Sequence, residues 1–141
     1  MTDKKGAFLL QYNYKFEIAP LAKKDVEESF LTLAGGITSI DPENEEEIEQ
    51  DYYYDGGGEA ESEVVGLQKI ISFEGHRKYG DPAQDYIYQE LTHKKGPERR
   101  VYFRETFPDG AVLEGEATVA NVKDPGGDAN SKGEIEFEIH F

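Results

Sequence analysis

The stretch GEIEFEIHF, residues 133–141, decides the fold class because apolar and polar side chains alternate along it without a break. Glu134, Glu136, Glu138 and His140 fall on one face of an extended chain. The other face holds Ile135, Phe137, Ile139 and Phe141. A period of two residues is typical of a β-strand with one buried face, and such a strand needs partner strands elsewhere in the chain.

Several other segments supply those partners. Residues 8–18 alternate in the same way and end at Pro20, and residues 29–40 predict one strand or two short ones with a kink at Gly35-Gly36. The segment from Glu63 is apolar on both faces, which is typical of a strand covered on both sides. The segments 99–107 and 111–122 flank a Pro-Asp-Gly turn.

One segment predicts a helix, over about residues 82–92. Asp81 is a suitable N-cap, Pro82 suits the first helical position, and Ala83, Ile87 and Leu91 lie on one apolar stripe. The loop DPGGDANSKG then precedes the closing strand. We therefore predict a mainly β protein of about seven strands and one α-helix, folded as a β-sandwich or half-barrel. No linker divides the chain, so residues 1–141 are expected to form a single domain.

Charge is concentrated in one place. The chain carries 30 acidic and 15 basic residues, and eleven of the acids, with no Lys or Arg, lie in residues 41–63. A chain of this charge does not hold a phosphate backbone tightly, because such binding needs Lys and Arg to displace counterions. No cysteine is present, and the longest apolar run, from Ala7 to Leu10, is far too short to span a membrane. We expect a soluble product made in a cytoplasm, with no membrane partner.

Catalytic and cofactor signals are weak throughout. His76, His93 and His140 lack the spacing of a zinc site, and the segment from Asp51 resembles a calcium loop but has tyrosine at its third position. Gly56 to Gly58 are not followed by the lysine of a phosphate-binding loop. The glutamates of the closing strand suit a solvated face better than acid–base catalysis. We expect no enzyme activity, no cofactor and no metal.

The acidic segment also contains three consecutive tyrosines, Tyr52, Tyr53 and Tyr54, followed by Asp55 and a triple glycine from Gly56. We interpret residues 41–63 as a long arm inserted between two strands, since loops of this length are usually functional or disordered and tyrosine disfavours plain disorder. Tyrosine is enriched at protein interfaces. We expect Tyr52 to Gly56 to dock on a neighbouring subunit; the alternative is an arm folded back on its own domain.

The order of these landmarks resembles a known family. DYYYDGGG, the stretch F-x-G-x-R-x-x-G-D-P-A-Q-D-Y-I from Phe73 to Ile87, an FPDG hairpin and the G-G-D-A-N loop from Gly126 follow one another over nearly the whole chain. The sequence is similar to the major tail tube proteins of long-tailed phages of Gram-positive bacteria and to related phage-tail-like bacteriocins.

This resemblance implies six-membered rings that stack into a hollow tube in the virion, with a negative inner wall through which DNA passes without specific binding. It also implies contacts with a tape measure protein, a tail terminator and distal tail proteins. We expect Glu114, Glu116, Glu134, Glu136 and Glu138 to line the channel, with an outward-facing arrangement as the alternative. Two other functions stay open: a capsid-decorating virion protein and a carbohydrate-binding module.

Overall fold

The computed structural model describes residues 8–141, and most of its regular structure is β. The strands are β1 (Lys15–Pro20), β2 (Leu31–Thr32), β3 (Ile37–Tyr52), β4 (Ala60–His76), β5 (Arg100–Thr106), β6 (Val112–Gly126) and β7 (Glu134–His140). Helix α1 (Pro82–Asp85) continues directly into a π-helical segment, Tyr86–Leu91. Short 3₁₀ turns occur at Gln11–Asn13, Leu21–Lys23, Glu27–Ser29, Tyr54–Gly56 and Gly96–Arg99. The prediction of seven strands and a helix that begins at Pro82 is confirmed.

All seven strands form one antiparallel sheet in the order β2-β1-β5-β6-β7-β4-β3. The sheet is strongly curled. Phe16 on β1 packs edge to face on Phe73 of β4, with 5.5 Å between ring centroids, although four strand positions separate them. In a flat sheet that separation would be roughly 19 Å, at about 4.8 Å per strand. The curled sheet therefore wraps around its own core as a half-barrel.

The core lies on one face of the sheet, as the alternation in the closing strand predicts. Ile135, Phe137 and Ile139 are buried, and the ring of Phe137 stacks on that of Phe73 at 5.0 Å between centroids. The remaining buried apolar residues of this core are Phe16, Ile18, Leu33, Ile71, Ala83, Ile87, Leu91, Val101, Phe103, Ala117 and Val119. Three of them come from the helix and its π-helical continuation, which packs on this face of the sheet.

The first predicted strand is shorter than its pattern. Residues 11–13 form a 3₁₀ turn, β1 begins only at Lys15, and Leu10 and Tyr12 are exposed. The reason is the lack of a partner: β1 pairs with β5 from Lys15 opposite Thr106, and β5 ends there, before the Pro-Asp-Gly turn. Alternation alone does not extend a strand past the end of its neighbour.

The acidic segment is a second difference. The arm expected between two strands is itself β-structure, because residues 41–52 continue β3 and β4 begins at Ala60. β4 pairs with β7 only from Ile70 onward, so its earlier residues pair with β3 alone. We call this two-stranded extension, residues 43–52 and 60–69, the ribbon. It leaves Val64 and Leu67 exposed, so the expectation of a strand covered on both sides is wrong for this part of β4.

The base of the β3–β4 hairpin is fixed by Gln84, which is fully buried. Its side-chain Nε2 donates to the carbonyl oxygens of Gly35 (2.7 Å) and His76 (3.0 Å), and its Oε1 accepts from the backbone N–H of Lys78 (2.7 Å). The Asp81 side chain caps α1 by accepting from the backbone N–H of Gln84. One amide thus joins the turn before β3, the end of β4 and the helix start.

Two further residues of the Phe73–Ile87 stretch complete this junction. Arg77 is nearly buried, donates to Asp85 at 2.9 Å and lies between the rings of Tyr79 and Tyr88, 4.2 and 5.4 Å from their centroids. Gly75 leaves no room for a side chain, since a Cβ there would overlap the carbonyl oxygen of Gly36. This stretch of the sequence is therefore a structural motif that fixes how the hairpin leaves the sheet.

We predict that Gly75→Ala lowers the free energy of unfolding by at least about 2 kcal/mol, because the added methyl group must push the Gly35-Gly36 turn away from β4. Gly56→Ala is the matched control, as no atom lies within 4 Å of its added Cβ. Its effect should stay within about 0.5 kcal/mol. Urea unfolding of the unassembled protein measures both, and equal losses would contradict the proposed close packing.

Candidate functional site

The five candidate channel-lining glutamates share one face of the sheet, opposite the core. On β6, Glu114, Glu116, Thr118 and Ala120 are each two residues apart, so their side chains point to the same face. Glu138 of β7 lies opposite Ala120 and therefore belongs to that face. Glu134 and Glu136 continue the same face along β7. All five are exposed except Glu138, whose side chain is 31% exposed. The five residues thus share one face, and their position in a channel stays a prediction.

The same face continues across β4 onto β3, where Asp41 lies opposite Ser72 and Ser72 lies opposite Glu138. From there, every second residue along β3 is acidic. These residues are Asp41, Glu43, Glu45, Glu47, Glu49 and Asp51, joined on β4 by Glu61 and Glu63, which pair with Asp51 and Glu49. We call this surface, from Glu114 on β6 to Asp51 at the far end of the ribbon, the acidic face.

The opposite face of the ribbon is mixed. It carries Asn44, Glu46, Ile48, Gln50 and Tyr52 along β3. Ile48 pairs with Val64, and both are more than half exposed. Composition alone shows only an acid run in residues 41–63; the period of two residues within that run is the signal that would have revealed a strand.

Glu138 is held by two neighbours. The Asn121 side-chain amide donates to Glu138 Oε1 at 2.8 Å, and His140 Nε2 lies 2.8 Å from the same oxygen. Asn121 has φ 51° and sits where the β6–β7 register shifts, a left-handed conformation that Asn adopts more readily than most residues. These hydrogen bonds, from His140 first and Asn121 second, hold the pKa of Glu138 below its usual value. The carboxylate therefore stays charged at neutral pH.

A basic residue balances the acids at the other end of this face. Arg104 on β5 contacts Glu17 (3.2 Å) and Glu27 (2.8 Å), and its guanidinium lies 3.9 Å from the centroid of the Phe30 ring. The hydrogen bond from Arg104 lowers the pKa of Glu27. The charge of Arg104 is thus paired within the chain. Two exposed cations share this face with the acids: Arg100 opposite Thr118, and Lys123 opposite Glu136. The excess of acid lies over β7, β4 and β3.

The tip of the ribbon, residues 52–58, projects into solvent. Tyr52, Tyr53 and Tyr54 are 71%, 53% and 110% exposed. Tyr54, Asp55 and Gly56 form a 3₁₀ turn, and Gly57 and Gly58 reverse the chain with φ of 62° and 89°. The structure therefore does not fold this arm back on its own domain. Its tyrosines are available to another molecule, and docking on a neighbouring subunit stays a prediction.

Within residues 8–141, no group of three or more His, Asp or Glu side chains is arranged to hold a metal ion. No helix in this part of the chain has the length and apolar composition needed to cross a membrane.

Comparison with known proteins gives a fold likeness. No protein-family model matches the chain, and no curated protein matches its sequence. Among solved structures, a chain from the tail of an empty gene transfer agent particle, refined with C6 symmetry, is similar with a TM-score of 0.73 and 17% identity over 94% of this chain and 93% of that chain. A chain of the SPP1 tail tube is similar with a TM-score of 0.68 and 12% identity over 94% and 75%.

A third similar structure comes from the sheath–tube complex of an extracellular contractile injection system in its extended state, with a TM-score of 0.57 and 12% identity over 99% and 94%. At these identities the likeness establishes the fold. The protein therefore has the mainly β, tail-tube-like fold that the sequence predicts.

The hydrogen bonds to Glu138 predict a specific pH dependence. A carboxylate whose pKa is lower in the folded than in the unfolded state adds stability above the unfolded pKa, near 4.5, and loses it as pH falls through the folded value. Wild-type protein should therefore be more stable than Glu138→Gln at pH 7, and this difference should shrink below about pH 4.5.

Glu134→Gln is the control, on the same strand and face but without a side-chain hydrogen bond among the described residues. Urea unfolding from pH 7 to pH 3 measures both variants. If the two pH profiles coincide, the assignment of the shift to Asn121 and His140 is wrong.

Proposed function

We propose that this protein is a structural, non-enzymatic subunit of a tail tube, in which copies form six-membered rings that stack into a hollow conduit. The observation that carries the proposal is the acidic face, a surface on the side of the sheet opposite the core in which carboxylates outnumber basic groups. Its support is the fold likeness to chains from tails and a tail tube, one of them refined with C6 symmetry. The finer assignment, to long-tailed phages of Gram-positive bacteria or related bacteriocins, rests on the sequence motifs.

The acidic face supports a channel-lining role for Glu114, Glu116, Glu134, Glu136 and Glu138. DNA that moves through a tube must not adhere to its wall. On the acidic face the carboxylates outnumber the exposed cations Arg100 and Lys123, so few cations are available to displace counterions from phosphate. The opposite face cannot serve this purpose as built, because the helix and the core cover it. DNA would then pass the subunit in the virion without specific binding.

The sheet edges support self-association. β3 is the last strand at one edge of the sheet. Among the described residues it pairs with β4 alone, over residues 37–52, so its other side is open. An open edge of this length invites further pairing, and closure into a ring gives every edge a neighbour. We therefore propose that the first partner is a second copy. Tape measure, terminator and distal tail proteins are proposed as the remaining partners.

Electron microscopy of the purified protein tests the function. Tail tube subunits are expected to form rings and long hollow tubes with one outer diameter. A protein that stays monomeric at high concentration, whatever the salt, would contradict the proposal. A tyrosine fluorescence change on addition of glycans to such a monomer would favour the carbohydrate-binding alternative.

We further predict that repulsion between acidic ribbons slows spontaneous assembly. Glu45, Glu46 and Glu47 are exposed on the ribbon, and charges of one sign in water repel over about one Debye length, roughly 10 Å at 0.1 M salt. The triple variant with glutamine at these three positions should assemble faster than wild type at low salt. Wild type should approach the same rate at high salt. Light scattering after dilution into assembly buffer gives both rates.

The control variant carries glutamine at Glu28, Glu90 and Glu98, three exposed acids outside the ribbon, so both variants have the same net charge. Equal acceleration of the two variants would attribute the barrier to overall charge and contradict a specific role of the ribbon.

A further inference from the structure

An open cavity of about 350 Å³ lies beside the start of β3. Its walls include Phe16 of β1 and Tyr14 just before that strand. Leu33, from the segment after β2, and Ile37 and Ile40, from β3, complete the apolar lining. This volume is at the lower end of the roughly 300–1,000 Å³ of small-ligand pockets, which suits one aromatic side chain. The cavity is a consequence of the fold: β2 is only two residues long, so it pairs with β1 at Glu17 and Ile18 and not at Tyr14. Buried Phe16 and Leu33 form the floor of the cavity, and half-buried Tyr14, Ile37 and Ile40 form its sides.

The walls of this cavity are unusual for so acidic a protein. Ten of the residues from 8 to 141 line it, and all ten are neutral. A group that arrives with carboxylates beside it would meet no carboxylate from the described residues in these walls, so this part of the surface repels it less than the acidic face does.

Such a group is present in the same chain. Tyr54 is fully exposed at the tip of the ribbon and is followed by Asp55, and the ribbon itself is strongly acidic. It cannot reach its own cavity. Ile40 in the cavity wall and Tyr52 beside the tip are twelve residues apart on the uninterrupted strand β3. At about 3.3 Å per residue, this places them roughly 40 Å apart.

We propose that this cavity receives the Tyr54 side chain of a second copy of the chain. The inference rests on the proposed function and names the receptor of the tip within the assembly. The tip and the cavity are different surfaces of one subunit, so the contact is head-to-tail and repeats from copy to copy. A contact of this kind either closes into a ring or continues as a filament, as a tube of stacked rings requires.

The geometry also gives each part of the tip a role. Tyr54 supplies a rigid ring with a polar end, which makes a large contact at a low cost in conformational entropy. Gly57 and Gly58, with positive φ, allow the chain to turn back directly behind it. The ribbon holds the tip at a fixed distance from the subunit body, because its two strands are paired from the sheet to Tyr52 opposite Ala60.

Cross-linking tests the proposal, and the absence of cysteine from the chain makes it specific. Asp55→Cys places a thiol beside Tyr54, and Ala34→Cys places one at an exposed position in the cavity wall. The two variants are mixed, assembled and mildly oxidised, and linked peptides are identified by mass spectrometry. We expect disulfides that join position 55 of one subunit to position 34 of another.

Two controls make the outcome decisive. Val112→Cys replaces Ala34→Cys as an exposed thiol elsewhere on the subunit and should give little cross-link with position 55. Adding Tyr54→Ser to the Asp55→Cys variant should lower the yield of the cross-link between positions 55 and 34 at least about tenfold, as expected for an aromatic residue at the centre of an interface. Equal yields with positions 34 and 112, or no effect of Tyr54→Ser, would overturn the proposal.

The assembly of wild-type protein, viewed by electron microscopy, separates this proposal from the function on which it rests. Hollow tubes without the cross-link between positions 55 and 34 would refute the docking and leave the tube function standing. The cross-link in linear or irregular aggregates would support the docking and refute the tube. If neither hollow tubes nor the cross-link form, the docking and the tube function are both refuted.

Discussion

The pairing of β3 with β4, from Ile37 opposite Gly75 to Tyr52 opposite Ala60, is the constraint on which the other features depend. Because side chains alternate between the faces of a strand, this register sends six acidic residues of β3 to the face opposite the core. It also joins that face to the glutamates of β7 through Ser72 and Glu74. A shift of one residue would turn the acids of β3 to the core side and Ile40, which lies opposite Phe73, to the other side.

The Gln84 junction sets this register at its base. Its amide contacts the backbone on both sides of the hairpin, at Gly35 and His76, and satisfies all of its main hydrogen-bonding groups in doing so. A buried amide with its partners in place fixes one arrangement, since any other would leave polar groups unsatisfied at a cost of about 1–3 kcal/mol each. The orientation of a long, solvent-exposed ribbon is thus determined in the protein interior.

The sequence predicts correctly the parts of the fold in which a segment with a clear hydrophobic period also has a neighbouring strand to pair with. β7 and β5 have a clear period and each is paired along its whole length, and the helix start has the capping signals of Asp81 and Pro82. The ribbon is not predicted, because Asp, Glu and Asn have low β-propensity and an acid run of this kind is more typical of a loop, although every second residue along it is acidic. The predicted first strand is too long, because β1 can extend only as far as its partner β5, and the end of β5 is set by the tertiary structure. The five glutamates were placed on one face correctly, whereas the cavity is formed by β1, β3 and the residues after β2 together and has no signal in any single segment.

The central claim is that the acidic face lines the bore of a tube built from this subunit. A helical reconstruction by electron cryomicroscopy of tubes assembled from the purified protein measures this directly. The account predicts that Glu116 and Glu136 project into the bore and that α1 lies on the outer side of the wall. A tube with α1 against the bore and the acidic face on its outer surface would contradict it.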